Sequence, residues 1–115
     1  MYVLSDGLIV DALVAAARRG VKLRVMLDPT QPQNAQSMAL LQSAGATVRF
    51  YAQAGDELLH AKLGIFDGDT VLFGSCNWSR SGFTRNHELD LLVHDGTLAR
   101  TFLARMNQDW MVSAP

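Results

Sequence analysis

The chain of 115 residues has one cysteine, three prolines and no excess of either charge, ten Lys and Arg standing against eleven Asp and Glu. Each scarcity excludes something. A single thiol, Cys76, has no partner for an intramolecular disulfide and says little about compartment. A formal net charge of −1 is unlike a dedicated nucleic-acid binder, whose affinity rests on Lys and Arg neutralising phosphates, although a local basic patch is still compatible with it. No stretch approaches the ~18 consecutive apolar residues of a membrane span. The first residues lack a basic segment leading into an apolar run, because Asp6 and Asp11 interrupt it, so no signal peptide is expected. Compartment therefore stays open.

What is present is ordinary globular composition, 49% hydrophobic and 18% charged, which disfavours disorder. The length suits one domain, residues 1–115, with a modest core. Met1 to Leu4 is β-prone but begins in mid-strand, so an N-terminal strand is expected to be truncated. Ser5 or Asp6 can cap a helix whose apolar positions Leu8, Ile9, Ala12, Leu13 and Ala16 recur at helical spacing, with Gly20 as its stop. "VKLRVML" reads as a strand closed at Asp28-Pro29. Asn34 is expected to cap a second helix through Ser43, with Met38, Leu40 and Leu41 inward and Gly45 as its end. "ATVRFY" is a third strand, and a polar loop follows over 52–57. Leu58 to Phe66 and Thr70 to Gly74 read as strands around Asp67-Gly68, a strong hairpin signal. "NHELDLLVHD" sets Leu89, Leu91 and Val93 against Glu88, Asp90 and Leu92, and Thr97 to Trp110 is an amphipathic helix. The order implies an α/β fold: a mixed sheet, parallel through the early crossovers and antiparallel through the hairpin, flanked by helices.

The chemistry concentrates in "HAKLGIFDGDTVLFGSCN", His60 to Asn77. Alternation puts His60, Lys62 and Gly64 on one strand face. A two-residue turn at Asp67-Gly68 places His60 opposite Ser75, whereas a four-residue loop places it opposite Asn77. Either register brings the two polar clusters together. Lys62 supplies a point cation, Ser75 and Asn77 supply neutral donors, and Gly74 lets backbone approach a ligand closely, which together suit an oxyanion such as phosphate. His60 beside that hollow can attack phosphorus or shuttle a proton. Glu88, facing away from Leu89, is the candidate carboxylate to fix the imidazole tautomer. A zinc site from His60, His87 and His94 is not expected, since no ligand-like spacing joins them and Lys62 would repel the cation. Trp78 and Phe83 can line the pocket mouth and stack on substrate, though packing is the expected role, and for Arg80 and Arg85 surface charge is as good an explanation as guidance of an anionic substrate.

His60-Ala61-Lys62, four residues, Asp67, six residues, then Gly74-Ser75-Cys76-Asn77 resembles the HxKx4Dx6GSxN signature of the phospholipase D superfamily, complete at every defining position. The helix–"RGV"–strand before it, "SAGATVRFY" and the downstream "NHE" resemble the family as well, so the likeness runs from Tyr2 to about Trp110. The resemblance implies a phospholipase D-like fold and hydrolysis or transfer of phosphodiesters without metal or other cofactor, through a phosphohistidine. It implies His60 as nucleophile or general acid, Lys62 as phosphate holder, and Ser75 and Asn77 as donors to its oxygens. Glu88 would orient His60, and Asp67 would support the turn.

The family builds one site from two such motifs, and this chain has one. The second motif is therefore expected from a homodimer mate or from a missing N-terminal half. Phospholipid headgroup esters are the leading substrate class. A homodimeric endonuclease on DNA or RNA is the alternative within the superfamily, and an inactive phosphate-binding fragment is the alternative outside enzymes.

Overall fold

The computed structural model describes residues 1–113. In chain order they form α1 (Gly7–Arg18), β1 (Arg24–Leu27), α2 (Gln33–Ser43), β2 (Thr47–Phe50), β3 (Leu63–Phe66), β4 (Thr70–Gly74), α3 (Arg80–Thr84), β5 (Asp90–His94) and α4 (Gly96–Val112). The α/β class with parallel and antiparallel pairing is as expected. The α2 crossover returns β2 parallel to β1, Val25 opposite Val48, while β3, β4 and β5 form an antiparallel meander. Strand pairing divides these into two sheets, where one was expected.

The Met1–Leu4 segment joins the two. It forms only an isolated parallel bridge, Leu4 with Trp78, and is not a full strand. Its backbone groups instead reach both sheets: Asp28 N donates to Met1 O, Tyr2 N to Ala61 O, and Trp78 N to Val3 O. The Met1 amine donates to Met26 O at 2.6 Å. Burial lowers its pKa to about 5, with the Asp28 charge opposing that shift and the Lys62 charge adding to it.

Apolar spacing explains the core. Leu4, Val10, Leu27, Met38, Leu41 and Val48 are buried together between α1, α2 and the parallel pair. Each fully buried side chain of this kind contributes about 1.5–3 kcal/mol. Leu40, expected inward, is 47% exposed, because Met38 and Leu41, three apart, already define the inner face. A second cluster, Met26, Leu59 and Trp110, seats the end of α4, and Phe102 of α4 meets Phe73 edge-to-face at 5.2 Å.

Local signals were read well at α1, where Asp6 accepts from Ile9 N, and less well at α2. Pro32 holds the α2 cap position, and Asn34 lies inside the first turn with its amide turned inward. It accepts from Leu4 N at 2.9 Å and donates to Tyr2 O at 2.8 Å and Asp28 O at 2.9 Å. Three buried backbone groups with no other partner there outweigh one helix cap.

The hairpin differs too. Asp67 and Gly68 both take positive φ, 54° and 73°, as a tight turn requires. Yet Phe66 pairs with Thr70 and Leu63 with Phe73, so the connection has three residues and the register falls between the two expected. Asp69 is the extra one, and its carbonyl accepts from Asp95 N at 2.8 Å, which draws it toward the end of β5. Residues 58–62 precede the ladder, since β3 begins at Leu63. Nothing in the sequence reading anticipated α3, which Ser79 caps by accepting from Gly82 N at 3.1 Å. The apolar side of the expected strand is not buried: Leu89, which precedes β5, and Leu91 on it are both exposed, because α4 lies mainly over β3 and β4 and leaves this edge strand uncovered.

Candidate active site

The site grows from the segment that leads into β3. Leu59 N is held at 2.7 Å by Oδ2 of Asp28, a fully buried carboxylate at the end of β1 that also accepts from Thr30 N at 2.8 Å. That anchor fixes the backbone one residue before His60. His60 is exposed, while Lys62, two residues on, is 8% exposed. Lys62 Nζ lies 2.9 Å from His60 Nδ1 and 3.1 Å from Nε2, and donates to the His60 carbonyl oxygen at 2.5 Å. Of the two ring nitrogens, only the one that carries a lone pair can accept from the ammonium. Burial lowers the Lys62 pKa below the ordinary lysine value, and the nearby Glu88 charge raises it in part.

The downstream cluster is knitted differently from expectation. Ser75 Oγ donates to Glu88 Oε2 and accepts from Leu89 N at 3.1 Å. Among the described residues no hydrogen bond joins Glu88 to His60, so the expected orienting contact is replaced by one to Ser75. Asn77 Oδ1 accepts from Val3 N at 3.2 Å, and the turn carrying it is fixed by Cys76 N donating to Asp90 Oδ1 at 3.1 Å. Cys76 itself is buried, which pushes its thiol pKa up. Gly74 is where side-chain bulk is forbidden: a Cβ there would stand 2.1 Å from Asp90 Oδ1 and 2.3 Å from Leu89 O.

The structure thus links His60 to Lys62 by contact, Lys62 to Glu88 by charge, and Glu88 to Ser75 by a hydrogen bond. Asp67 stays at the exposed hairpin turn and makes no side-chain hydrogen bond among the described residues. His87 and His94 are exposed, with His94 Nδ1 beside Thr70 Oγ1 at 2.8 Å. Phe83 is 48% exposed, while Trp78 packs against the core. No group of three His, Cys, Asp or Glu among the described residues could hold a metal ion. A cavity of about 330 Å³ lies where Lys62 and Gly74 meet α4, lined mainly by apolar residues such as Leu59, Phe73 and Phe102. Tyr2, Asp28, Asn34 and Asp90 were not singled out from the sequence as site residues. Asp90 carried the only readable signal, its alternation with Glu88 on one strand face.

Comparison with known proteins shows the family. Residues 1–110 match the family model described as cardiolipin synthase, PLD-like domain. The chain belongs to this phospholipase D-like family. Among its relatives it is 36% identical over 110 residues to a phospholipase D of Rickettsia prowazekii, covering 95% of this chain and 51% of that protein. It is 29% identical over 111 residues to a mitochondrial cardiolipin hydrolase of Xenopus laevis, covering 96% and 52% respectively. The chain therefore spans about half the length of these curated relatives. In structure it superposes with TM-score 0.86 on Nuc, a phospholipase D family member from Salmonella typhimurium, at 26% identity, over 98% of this chain and 76% of Nuc.

Proposed function

We propose that this chain carries one half of a metal-independent phosphodiesterase site acting on phospholipid headgroup esters by hydrolysis or by transfer to an alcohol. The observation that supports it best is the contact between the exposed imidazole of His60 and the buried ammonium of Lys62. A phosphoryl oxygen entering beside them takes over Lys62 as its counter-charge, because a charge-assisted bond to an oxyanion is stronger than one to a neutral ring nitrogen. That exchange frees the His60 lone pair.

The freed imidazole attacks phosphorus as the ester P–O bond breaks, and a second histidine gives its proton to the departing oxygen. Water, deprotonated by that second histidine, then cleaves the P–N bond and regenerates His60. Ser75 and Asn77 serve as donors to the phosphoryl oxygens, Glu88 steadies the positive charge that develops on the imidazole, and Asp67 supports the hairpin. The second histidine comes from another copy of this motif, in a mate or in a further half of the protein. The names of the relatives, phospholipase D and cardiolipin hydrolase, support the lipid class. A homodimeric endonuclease is the second reading, favoured by the single motif in the chain.

The deciding experiment quenches the protein with a ³²P-labelled phosphodiester and maps the acid-labile label. Label on His60, absent in His60→Asn and unaffected by EDTA, is the expected result. Turnover that EDTA abolishes would refute the proposal. Phosphatidylcholine and plasmid DNA run side by side separate the lipid reading from the nuclease.

A further inference from the structure

Tyr2 lies outside the motif, yet it touches both of the motif's basic groups. Its ring centroid is 4.5 Å from that of His60, with the planes at 49°, and Lys62 Nζ is 4.9 Å from the same ring. This placement follows from the backbone. Tyr2 N donates to the carbonyl of Ala61, the residue between His60 and Lys62, at 3.1 Å. The other end is pinned as firmly: Tyr2 O accepts from Asn34 Nδ2 at 2.8 Å and Tyr2 Oη accepts from Gln31 Nε2 at 2.8 Å. The aromatic ring is therefore held at its backbone and at its hydroxyl.

A buried ammonium has lost water, and the negative π face of an aromatic ring within about 6 Å recovers part of that loss. The same ring blocks one side of the imidazole, so His60 cannot turn toward it. We propose that Tyr2 is a positioning residue that holds the Lys62 ammonium and the His60 imidazole side by side, aimed at one phosphoryl group. The inference rests on the phosphodiesterase reading for its kinetic consequence, but not for its geometry.

Two measurements test it. In ¹H–¹³C spectra of the wild type, the His60 ring protons should be displaced by the Tyr2 ring current. Tyr2→Phe should keep that displacement, and Tyr2→Leu should return the signals toward those of the exposed His87. With bis(p-nitrophenyl) phosphate, Tyr2→Leu should lower kcat about tenfold, the scale of one lost cation–π contact, with KM little changed and Tyr2→Phe close to wild type. His60 signals unmoved by Tyr2→Leu, or Tyr2→Phe as impaired as Tyr2→Leu, would overturn the inference. Should Tyr2→Leu fail to fold, Tyr2→Met keeps a long apolar side chain and removes only the ring. It should return the His60 signals toward those of His87 in the same way, and unmoved signals there overturn the inference equally. A wild type without turnover bears only on whether this chain supplies both histidines by pairing, since the spectra still decide the role of Tyr2.

Discussion

Ser75 donates its hydroxyl to Glu88, the carboxylate that the motif logic assigned to His60. Glu88 therefore acts on the site through its charge, which reaches Lys62. Burial already lowers the Lys62 pKa, and Glu88 partly restores it. Removing the carboxylate charge in Glu88→Gln should lower it further, so the ammonium deprotonates earlier as pH rises. We expect the alkaline limb of the kcat/KM profile to move to lower pH in Glu88→Gln. A limb that stays in place, or moves up, would show that this charge does not reach Lys62.

Asn34 is a stability residue at a distance from the chemistry. Replacing it with Ala leaves Leu4 N, Tyr2 O and Asp28 O without partners in a buried setting. At about 1–3 kcal/mol per unsatisfied group, Asn34→Ala should cost roughly 3 kcal/mol or more. Urea unfolding should show a lower midpoint at an unchanged slope. A midpoint within error of wild type would mean water repairs the gap.

Gly74 and Gly68 should respond to alanine for different reasons. At Gly74 the new methyl would meet Asp90 Cα at 2.6 Å as well as the two oxygens nearer still. Gly74→Ala should therefore push β5 off β4, cost more than ~2 kcal/mol, and loosen the Cys76–Asp90 bond. Gly68→Ala meets nothing within 4 Å but must hold φ at +73°, a conformational cost of about 1 kcal/mol. Thermal melts of the pair should rank Gly74→Ala well below Gly68→Ala, and the reverse order would contradict the close packing described.

A site that needs two imidazoles should behave as second order in the isolated chain. We expect specific activity to rise with protein concentration. Excess His60→Asn added to wild type should depress turnover below what dilution explains, because mixed pairs hold one histidine. Specific activity independent of concentration, together with no depression on mixing, would be incompatible with pairing of this chain.

How much of this the sequence discloses depends on the range of the interaction. Helices capped by their own neighbours, such as α1 with Asp6, were readable because the cap and the apolar spacing lie within a few residues. The two-residue spacing of His60 and Lys62 was readable, but their contact forms in the segment before β3 and not on a strand face. Asn34 was not: its partners Leu4 and Tyr2 are some thirty residues away, and a local cap looked sufficient. The hairpin register failed for the same reason, because Asp69 answers to Asp95 across the sheet and not to the turn beside it. Tyr2 was invisible as a site residue because only the pairing with Ala61 carries it to the imidazole.

α3 bears on the redesign of this scaffold. Its Gly82 sits so close to the Asn77 carbonyl that an added Cβ would lie 2.2 Å from that oxygen. Chimaeras that transplant the 79–85 loop between relatives can vary its arginines and its phenylalanine freely at the rim. They must keep glycine at the fourth position of the graft, or the donated loop will dislodge the very amide whose backbone it rests on.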